Sequence, residues 1–339
     1  MADGTFKLAI IGAGGISGAH SGAVTASGGK IVLTAAVDTN GDAVHKLASS
    51  HPGCRTFTGT EEFLDAMDLG KVEADGVVVC TPPSMRIPIV QACLKAGLDV
   101  LSEKPLAHTA SDAKKLAAIA AKHPKRRAFV AYCHRFAPAV LKMKQLVNEG
   151  KVGQLVRFEN FFACDLPGHK GKWFSDAKKS GGGAYLDMGS HSIDLFHFMA
   201  GASRTAGAVF SHKWKGRTET AATVLVESTK APAGTKNIRP GVAGSIISGW
   251  AETCRFTVAL AGDAGMLFYD YEKPTELVFK DLGGKAELIP VETHDVRFAR
   301  QLQAFADASS RGSKKTGLAS FADGVDAAMA FDAAVKLAK

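Results

Sequence analysis

The chain has 339 residues, of which 46% are hydrophobic and 22% are charged, and its formal net charge is +8. This length favours two domains over one core, and the composition supplies enough apolar surface for both. The absence of an 18-residue apolar run excludes a membrane-spanning helix. The basic residues form short, separated clusters, whereas a nucleic-acid surface needs a continuous basic stripe. We therefore expect neither a membrane nor a nucleic acid among the partners.

The six cysteines are scattered along the chain with no C-x-x-C pair. This spacing argues against a zinc ribbon, a thioredoxin-type motif and a secreted disulfide scaffold. The sequence enters its first strand-like segment within a few residues, and no secretion signal precedes it. These features predict a cytoplasmic protein whose thiols are mostly buried.

In the first part of the chain, apolar strand-like runs alternate with helical patterns. The predicted strands are 6–11, 31–38, 76–80, 100–101 and 129–132. Several of these runs are almost entirely Val, Ile and Ala, which is typical of parallel strands covered on both faces. Alternating strands and helices with short connections predict a doubly wound α/β sheet, and we assign it to a domain of residues 1–132.

The pattern changes beyond residue 133. A helix is expected over 139–149, and longer alternating strands are expected over 154–164, 220–227 and 255–260. Hairpin-like turns separate the later strands. Residues 133–339 are therefore predicted to form an α+β domain with a large, mainly antiparallel open sheet. The stretch Ser228–Ile246 is rich in Gly, Ala and Pro and is expected to be a long surface loop.

The segment "LAIIGAGGISGAHSGAV" places a glycine-rich turn between the first strand and a helix. Gly12 suits a tight turn, and Gly14 lets the backbone approach a pyrophosphate. Gly15 and Ile16 lead into the helix N-terminus, where free N–H groups and the helix dipole favour a phosphate. Asp38 follows the second strand, where a carboxylate can accept both ribose hydroxyls of an adenosine. The pattern predicts a dinucleotide site.

The same carboxylate would repel a 2′-phosphate, and no cation follows it before Lys46. NAD is therefore expected rather than NADP. The third position of the strict glycine pattern is Ser17, and the next glycine comes one residue later. A small residue at this place still permits the helix to pack closely on the strand.

Two further strand ends carry polar residues. "VVVCTPPS" turns through Thr81 and Pro82, and "DVLSEKPLAH" delivers Glu103 and Lys104. In an open α/β sheet, ligands bind at the carboxyl ends of the strands, so these four residues are expected at the cofactor. The proline after Lys104 fixes the backbone there and helps to aim the lysine.

The segment "SGGGAYLDMGSHSIDLF" places Asp187, His191 and Asp194 at i, i+4 and i+7, on one strip of an otherwise apolar helix. One interpretation is a ligand site, with the three preceding glycines letting a ligand come close to the backbone. The other is a buried polar cluster whose members satisfy one another. The spacing of these residues leaves both open.

Together these motifs identify a resemblance. The glycine turn, "CTPPS", "SEKPLA", "AYCHRFAPAV", "GKVGQLV" and "GGGAYLDMGSHSIDL" resemble, in order and spacing, the glucose–fructose oxidoreductase/inositol dehydrogenase/rhizopine catabolism (Gfo/Idh/MocA) family. The resemblance covers residues 5 to about 200. It implies a Rossmann domain followed by a domain whose open sheet forms a dimer or tetramer interface. It also implies oxidation or reduction of a carbinol on a sugar, anhydrosugar, inositol or related polyol with a nicotinamide cofactor.

The resemblance further implies that Lys104, Asp187 and His191 surround the reacting carbon. A hydride leaves a C–H bond only as the attached hydroxyl loses its proton, so a base must lie within hydrogen-bond reach. His191 is expected to be that base, because imidazole titrates near neutral pH. Lys104 would then polarise the oxygen, and Asp187 would hold a neighbouring hydroxyl. A neutral Lys104 acting as the base is the alternative.

Three further residues are expected near the substrate. Arg86 stands where the family commonly has a histidine, and it would either favour an anionic substrate or reach the cofactor. Arg135 lies in the family segment "AYCHRFAPAV", and Trp173 would form a stacking wall for a sugar or simply pack. No metal site is expected, because His191, Asp194 and His197 spread over about 120° of a helix.

Two other classes of function stay open at this point. One is a redox-neutral NAD-dependent glycosidase or lyase, in which the hydride is borrowed and returned. The other is a non-catalytic NAD-binding regulatory protein. The sequence specifies neither the sugar or polyol, nor the direction of the reaction, nor the size of the oligomer.

Overall fold

The computed structural model describes residues 4–215, 217–311 and 316–338. The chain forms two compact units. The first comprises Met1–Ala107, Ser111–Cys133 and Val296–Val325, and the second comprises His108–Ala110, His134–Asp295 and Asp326–Lys339. Among the described residues, no helix has the length and apolar character needed to cross a bilayer.

The secondary structure elements are numbered here in chain order. The strands are β1 (Phe6–Ile11), β2 (Ile31–Val37), β3 (Arg55–Phe57), β4 (Gly76–Val79), β5 (Asp99–Glu103), β6 (Ala128–Ala131), β7 (Leu155–Ala163), β8 (Ala202–Ser211), β9 (Ala221–Lys230), β10 (Ile238–Gly249), β11 (Arg255–Gly262), β12 (Gly265–Asp270), β13 (Glu276–Asp281), β14 (Ala286–Pro290) and β15 (Ala319–Ser320). The helices are α1 (Ser17–Ala26), α2 (Gly41–Ala48), α3 (Thr60–Asp68), α4 (Arg86–Lys95), α5 (Ala110–Ala121), α6 (Pro138–Asn148), α7 (Ala177–Ser180), α8 (Ser190–Ala200), α9 (Arg297–Arg311) and α10 (Phe321–Leu337).

The first sheet has seven strands in the order β15-β6-β5-β4-β1-β2-β3. Strands β1 to β6 pair in parallel, and β15 pairs antiparallel to β6 at the edge. Ile10, Val78 and Leu101 are fully buried, because helices cover parallel strands on both faces. The predicted doubly wound parallel sheet is confirmed.

The second sheet has eight strands in the order β14-β13-β12-β11-β7-β10-β9-β8. Its pairs are antiparallel except for β7 with β10. Phe158 on β7 is fully buried and meets Phe196 of α8 edge-on, with ring centroids 5.4 Å apart, so α8 lies on this sheet. The predicted mainly antiparallel sheet is confirmed.

The prediction of a loop over Ser228–Ile246 is wrong. Strand β9 continues to Lys230 and β10 begins at Ile238, so only 231–237 connects them. One of the small residues that suggested a loop, Gly244, serves close packing. A Cβ atom added at Gly244 would come within 2.6 Å of the Phe196 ring. A glycine in a central strand can thus mark the close approach of another element.

Candidate active site

The glycine turn between β1 and α1 uses its first glycine for conformation. Gly12 has φ of +100°, a region that L side chains rarely adopt. A Cβ atom there would also lie 2.8 Å from the carbonyl carbon of Cys80, at the end of the neighbouring strand β4. Backbone conformation and close packing therefore both require glycine at this position.

The next residues of the turn leave space and donors. A Cβ atom added at Gly14 or Gly15 would meet no atom within 4 Å. Among the residues that the structure describes, the N–H groups of Gly14, Gly15 and Ile16 have no acceptor. Helix α1 begins immediately afterwards, so its positive dipole end adds to these donors. The turn fits an anionic phosphate group.

Asp38 follows β2 and reaches back to this turn. Its Oδ2 accepts from the N–H of Ala13 at 2.6 Å, and its Oδ1 accepts from the N–H of Asn40 at 2.8 Å. A carboxylate offers about four acceptor sites, so two backbone donors leave capacity for the hydroxyls of a ribose. Thr39 and Asn40 are exposed and uncharged. The phosphate donors and this carboxylate together fit a dinucleotide such as NAD.

The strand-end loop that carries Lys104 is held by buried groups. Glu103 is 4% exposed, and its Oε1 lies 2.7 Å from His20 Nε2. Its Oε2 accepts from the N–H of Lys104 at 3.0 Å. The described contacts of Glu103 are thus inside the protein, and a direct contact with the cofactor stays a prediction. Lys104 itself is half-buried, as are Thr81 and Pro82 after β4.

Arg86 opens α4 and is only 3% exposed. Its Nε donates to the carbonyl oxygen of Thr81 at 3.0 Å, and its Nη1 donates to the carbonyl oxygens of Glu103 and Pro105. Burial lowers the pKa of Arg86 to about 10, while the negative charge of Glu103 acts in the opposite direction. The guanidinium therefore remains charged near neutral pH. Its contact with a substrate stays a prediction, because the described bonds all go to backbone.

The three glycines before α8 do not leave room for a ligand. An added Cβ atom would lie 2.4 Å from the His108 carbonyl oxygen at Gly181, 2.5 Å from the Phe331 ring at Gly182, and 2.0 Å from the Glu219 carbonyl oxygen at Gly183. The interpretation that these glycines admit a ligand is therefore wrong. They admit other parts of the protein, within the second unit.

Glu219 fixes this glycine segment. Its Oε1 accepts from the N–H groups of Gly183 and Tyr185 at 2.8 and 3.1 Å. Its carbonyl oxygen accepts from the N–H of Ala184 at 3.0 Å. Burial raises the pKa of the Glu219 carboxyl, and these backbone donors act against that rise. Three consecutive peptide groups are thus set by one residue.

The helix after the glycines is not regular. Tyr185–Gly189 form a π-helical turn, and α8 begins only at Ser190. Asp187 lies in this turn, so the simple i, i+4, i+7 strip does not describe the three polar residues. Its Oδ2 accepts from Trp250 Nε1 at 3.0 Å, and Trp250 is fully buried. One carboxylate oxygen of the half-buried Asp187 is thereby held in place.

His191 lies near the start of α8 and is 8% exposed. Its ring meets that of His134 edge-on, with centroids 4.6 Å apart. The Nδ1 atom of His134 lies 2.7 Å from the Tyr271 hydroxyl. Two imidazoles and a phenol therefore form one buried group inside the second unit.

Asp194 and Arg135 form a separate ion pair. Arg135 Nε lies 2.9 and 3.0 Å from the two carboxylate oxygens, and Nη2 lies 2.6 Å from Oδ1. Both side chains are buried. Asp194 therefore pairs with an arginine 59 positions away, which answers part of the question that its helix position raised. A role of Arg135 at the substrate stays a prediction, and the side chain of Trp173 lies outside the described residues.

Sequence reasoning missed several residues that contact the predicted ones: His20 in the first unit, and His134, Glu219, Trp250 and Tyr271 in the second. His134 carried a usable signal, because it stands next to Arg135, three residues after the end of β6. The others come from elements far away along the chain, and no local pattern marks them.

Residues 6–132 match a family described as "Oxidoreductase family, NAD-binding Rossmann fold". Residues 140–268 match the "GFO/IDH/MocA C-terminal domain". The chain belongs to the Gfo/Idh/MocA family. The resemblance stated from the sequence motifs is confirmed.

Curated relatives in this family include sugar and inositol enzymes. The chain is 28% identical over 208 residues to the rhizopine catabolism protein MocA of Rhizobium meliloti, covering 61% of each protein. It is 29% identical over 171 residues to an inositol 2-dehydrogenase of Rubrobacter xylanophilus, covering 49% of this chain and 47% of that one. The chain thus spans about three fifths or less of the length of these relatives.

Solved structures show the same fold over nearly the whole chain. A levoglucosan dehydrogenase in complex with NADH and L-sorbose has a TM-score of 0.85 at 20% identity, covering 98% of this chain and 96% of that one. A protein titled GenD2 from gentamicin A biosynthesis, in complex with NAD, has a TM-score of 0.81 at 23% identity, covering 98% and 94%. At this identity the likeness establishes the Rossmann and second-sheet architecture of the family.

Proposed function

We propose that this protein is an NAD-dependent dehydrogenase or reductase that acts on a carbinol of a sugar, anhydrosugar, inositol or related polyol. The observation that carries the proposal lies in the first unit, where Asp38 accepts from a glycine turn that has three N–H groups without an acceptor among the described residues. The named activities of the relatives supply the substrate class.

In this proposal, NAD when bound supplies the hydride acceptor, and the chain supplies the proton chemistry. His191 accepts the proton of the reacting hydroxyl through its imidazole and returns it in the reverse direction. Lys104 stabilises the developing negative charge on the oxygen. Asp187, which Trp250 holds in place through one oxygen, binds a neighbouring hydroxyl of the substrate.

Two further features belong to the proposal. All six cysteines are free thiols, which favours the reducing environment of the cytoplasm. The second sheet exposes apolar side chains, Val209 on β8 and Leu225 on β9, which favours a dimer or tetramer formed through this sheet. Light scattering of the purified protein would measure the oligomeric mass directly.

A substrate screen tests the function. The purified protein is incubated with NAD and levoglucosan, myo-inositol, methyl glucosides or uronates, and NADH is followed by its absorbance. In the reverse direction, 1,5-anhydro-D-fructose is supplied with NADH. We expect at least one compound to change the NADH concentration in proportion to the substrate consumed.

The other outcomes identify the alternatives. Loss of substrate without net NADH formation would show a redox-neutral glycosidase or lyase. Binding of NADH by calorimetry, with no turnover of any compound, would instead favour a regulatory protein. Failure to bind NAD and NADH would contradict the proposed dinucleotide site.

A further inference from the structure

We propose that Arg86 is a positioning residue for Lys104, holding the peptide groups on both sides of it. This inference rests on the proposed function, because Lys104 is a functional residue only if the chain is a dehydrogenase. The function as described so far gives Arg86 no task.

The geometry of the guanidinium is the first support. Its Nη1 donates to the carbonyl oxygen of Glu103, immediately before Lys104, and to that of Pro105, immediately after it. A single nitrogen therefore bridges the two carbonyl groups that flank the lysine. Nε donates to Thr81 and so ties the Lys104 loop to the end of the neighbouring strand β4.

The burial of Arg86 is the second support. A guanidinium that is 97% removed from solvent is costly unless its charge and its N–H groups are satisfied. Three of its five N–H groups point to carbonyl oxygens, and the Glu103 carboxylate supplies an opposite charge nearby. That carboxylate also accepts from the N–H of Lys104, so donors and acceptors on both sides fix the lysine backbone.

The planar fork of arginine is what makes this arrangement work. Its donors have fixed directions and can reach two strand ends simultaneously, whereas a lysine carries its donors on one flexible nitrogen. A Lys104 backbone held in this way keeps the lysine amine within a narrow range of positions. Small misplacements of a catalytic group lower turnover more than binding.

Strand β5 offers a matched control at its other end. Arg126 donates through Nη1 to the carbonyl oxygen of Gly97 at 2.6 Å and lies 3.9 Å from the Asp99 carboxylate. It is therefore also an arginine that holds backbone next to β5, at the amino end, where no ligand is expected. Arg126→Met should change stability without changing turnover.

The experiment compares Arg86→Met, Arg86→Lys and Arg126→Met with the wild type. Hydrogen exchange measured by mass spectrometry reports the local order of residues 99–107. We expect at least ~10-fold faster exchange at the amides of residues 103, 104, 106 and 107 in both Arg86 variants, because the loop opens more often once the carbonyl groups of Glu103 and Pro105 lose the fixed guanidinium donors. In Arg126→Met, residues 103–107 should exchange as in the wild type. If Arg86→Met does not fold, the exchange measured in Arg86→Lys tests the proposal.

Kinetics with whichever screened compound is turned over gives the functional readout. We expect kcat to fall ~10- to 100-fold in the Arg86 variants, with KM changed less than ~3-fold and a larger deuterium isotope effect on hydride transfer. Unchanged exchange at 103–107 overturns the proposal, and so does faster exchange with kcat within twofold of the wild type. If the wild type turns over no compound, the proposed function fails, and exchange alone decides whether Arg86 holds this loop.

Discussion

The two glycine-rich segments of this chain look alike in sequence and serve opposite purposes. At Gly14 and Gly15, an added Cβ atom would meet no atom within 4 Å. At Gly181, Gly182 and Gly183, it would meet other parts of the protein within 2.5 Å. The first segment is open for a ligand, and the second is closed by the fold. In a sequence, glycine indicates that another group comes close to the backbone. Only the structure shows whether that group is a ligand or another part of the protein.

The comparison predicts that function in the second segment resides in side chains. His191→Ala should lower turnover ~100- to 10,000-fold, because it removes the proposed acid–base group, with little effect on NADH binding. Lys104→Met should cause a similar loss. Steady-state kinetics on the compound found in the screen measures both effects.

A matched control lies on the same helix. His197 bonds through Nε2 to the Ser203 hydroxyl, at the far end of α8. His197→Ala should therefore keep most of the turnover of the wild type. Near-normal turnover in both His191→Ala and Lys104→Met would contradict the assigned catalytic roles.

The closed segment should respond to an added methyl group with a loss of stability. Gly183→Ala would place Cβ 2.0 Å from the Glu219 carbonyl oxygen, which belongs to backbone and cannot easily move away. We expect the free energy of unfolding to fall by about 3 kcal/mol, the upper part of the usual range for overpacking. Urea denaturation measures it, and a change below about 0.5 kcal/mol would refute the packing argument.

The open segment should respond to the same change with a loss of affinity. Gly14→Ala has room for its methyl group, so the free energy of unfolding should change by less than about 0.5 kcal/mol. The methyl group would stand where a phosphate must approach, and the affinity for NADH should fall ~10- to 100-fold, the cost of about one charged hydrogen bond. Calorimetric titration tests this, and unchanged affinity would remove the turn from the cofactor site.

Asp38 sharpens the comparison, because we propose that it sets the choice of cofactor. Its carboxylate would repel a 2′-phosphate by ~1–4 kcal/mol at about 4 Å in a partly solvated site. Asp38→Ser should weaken NADH binding about 10-fold and reduce the preference for NADH over NADPH. Tighter binding of NADPH than of NADH by the wild type would show that Asp38 is not the ribose ligand.

Glu219 gives the smallest expected effect, with a defined pH dependence. Burial raises its pKa in the folded protein, so its ionised form is less favourable there than in the unfolded chain. Its stabilising contribution is complete below the unfolded pKa of about 4.5 and is lost as the pH rises through the folded pKa. The free energy of unfolding of Glu219→Gln should therefore increase relative to that of the wild type as the pH rises above about 4.5. A loss of stability of Glu219→Gln relative to the wild type over the same rise in pH would contradict the raised pKa of Glu219.

Much of the first sheet could be predicted from the sequence. Buried parallel strands appear as apolar runs, and the predicted 6–11 and 76–80 agree with β1 and β4 within one residue. Strand β15 has two residues and carries no such signal. The partners of the polar residues could not be predicted either, because Arg135 lies 59 positions from Asp194 and Trp250 lies 63 positions from Asp187. Sequence spacing identifies candidates, and only packing identifies their contacts.

The return of the chain to the first sheet has a consequence for its synthesis. Phe305 of α9 is fully buried and meets the rings of Phe6 and Phe129 at 5.6 and 6.3 Å. The N-terminal unit thus cannot close its core when residue 133 leaves the ribosome. Residues 134–295 must be translated first, which takes roughly 8 to 30 s at about 5–20 residues per second. A nascent chain stalled before residue 296 should accordingly remain sensitive to protease in its N-terminal unit.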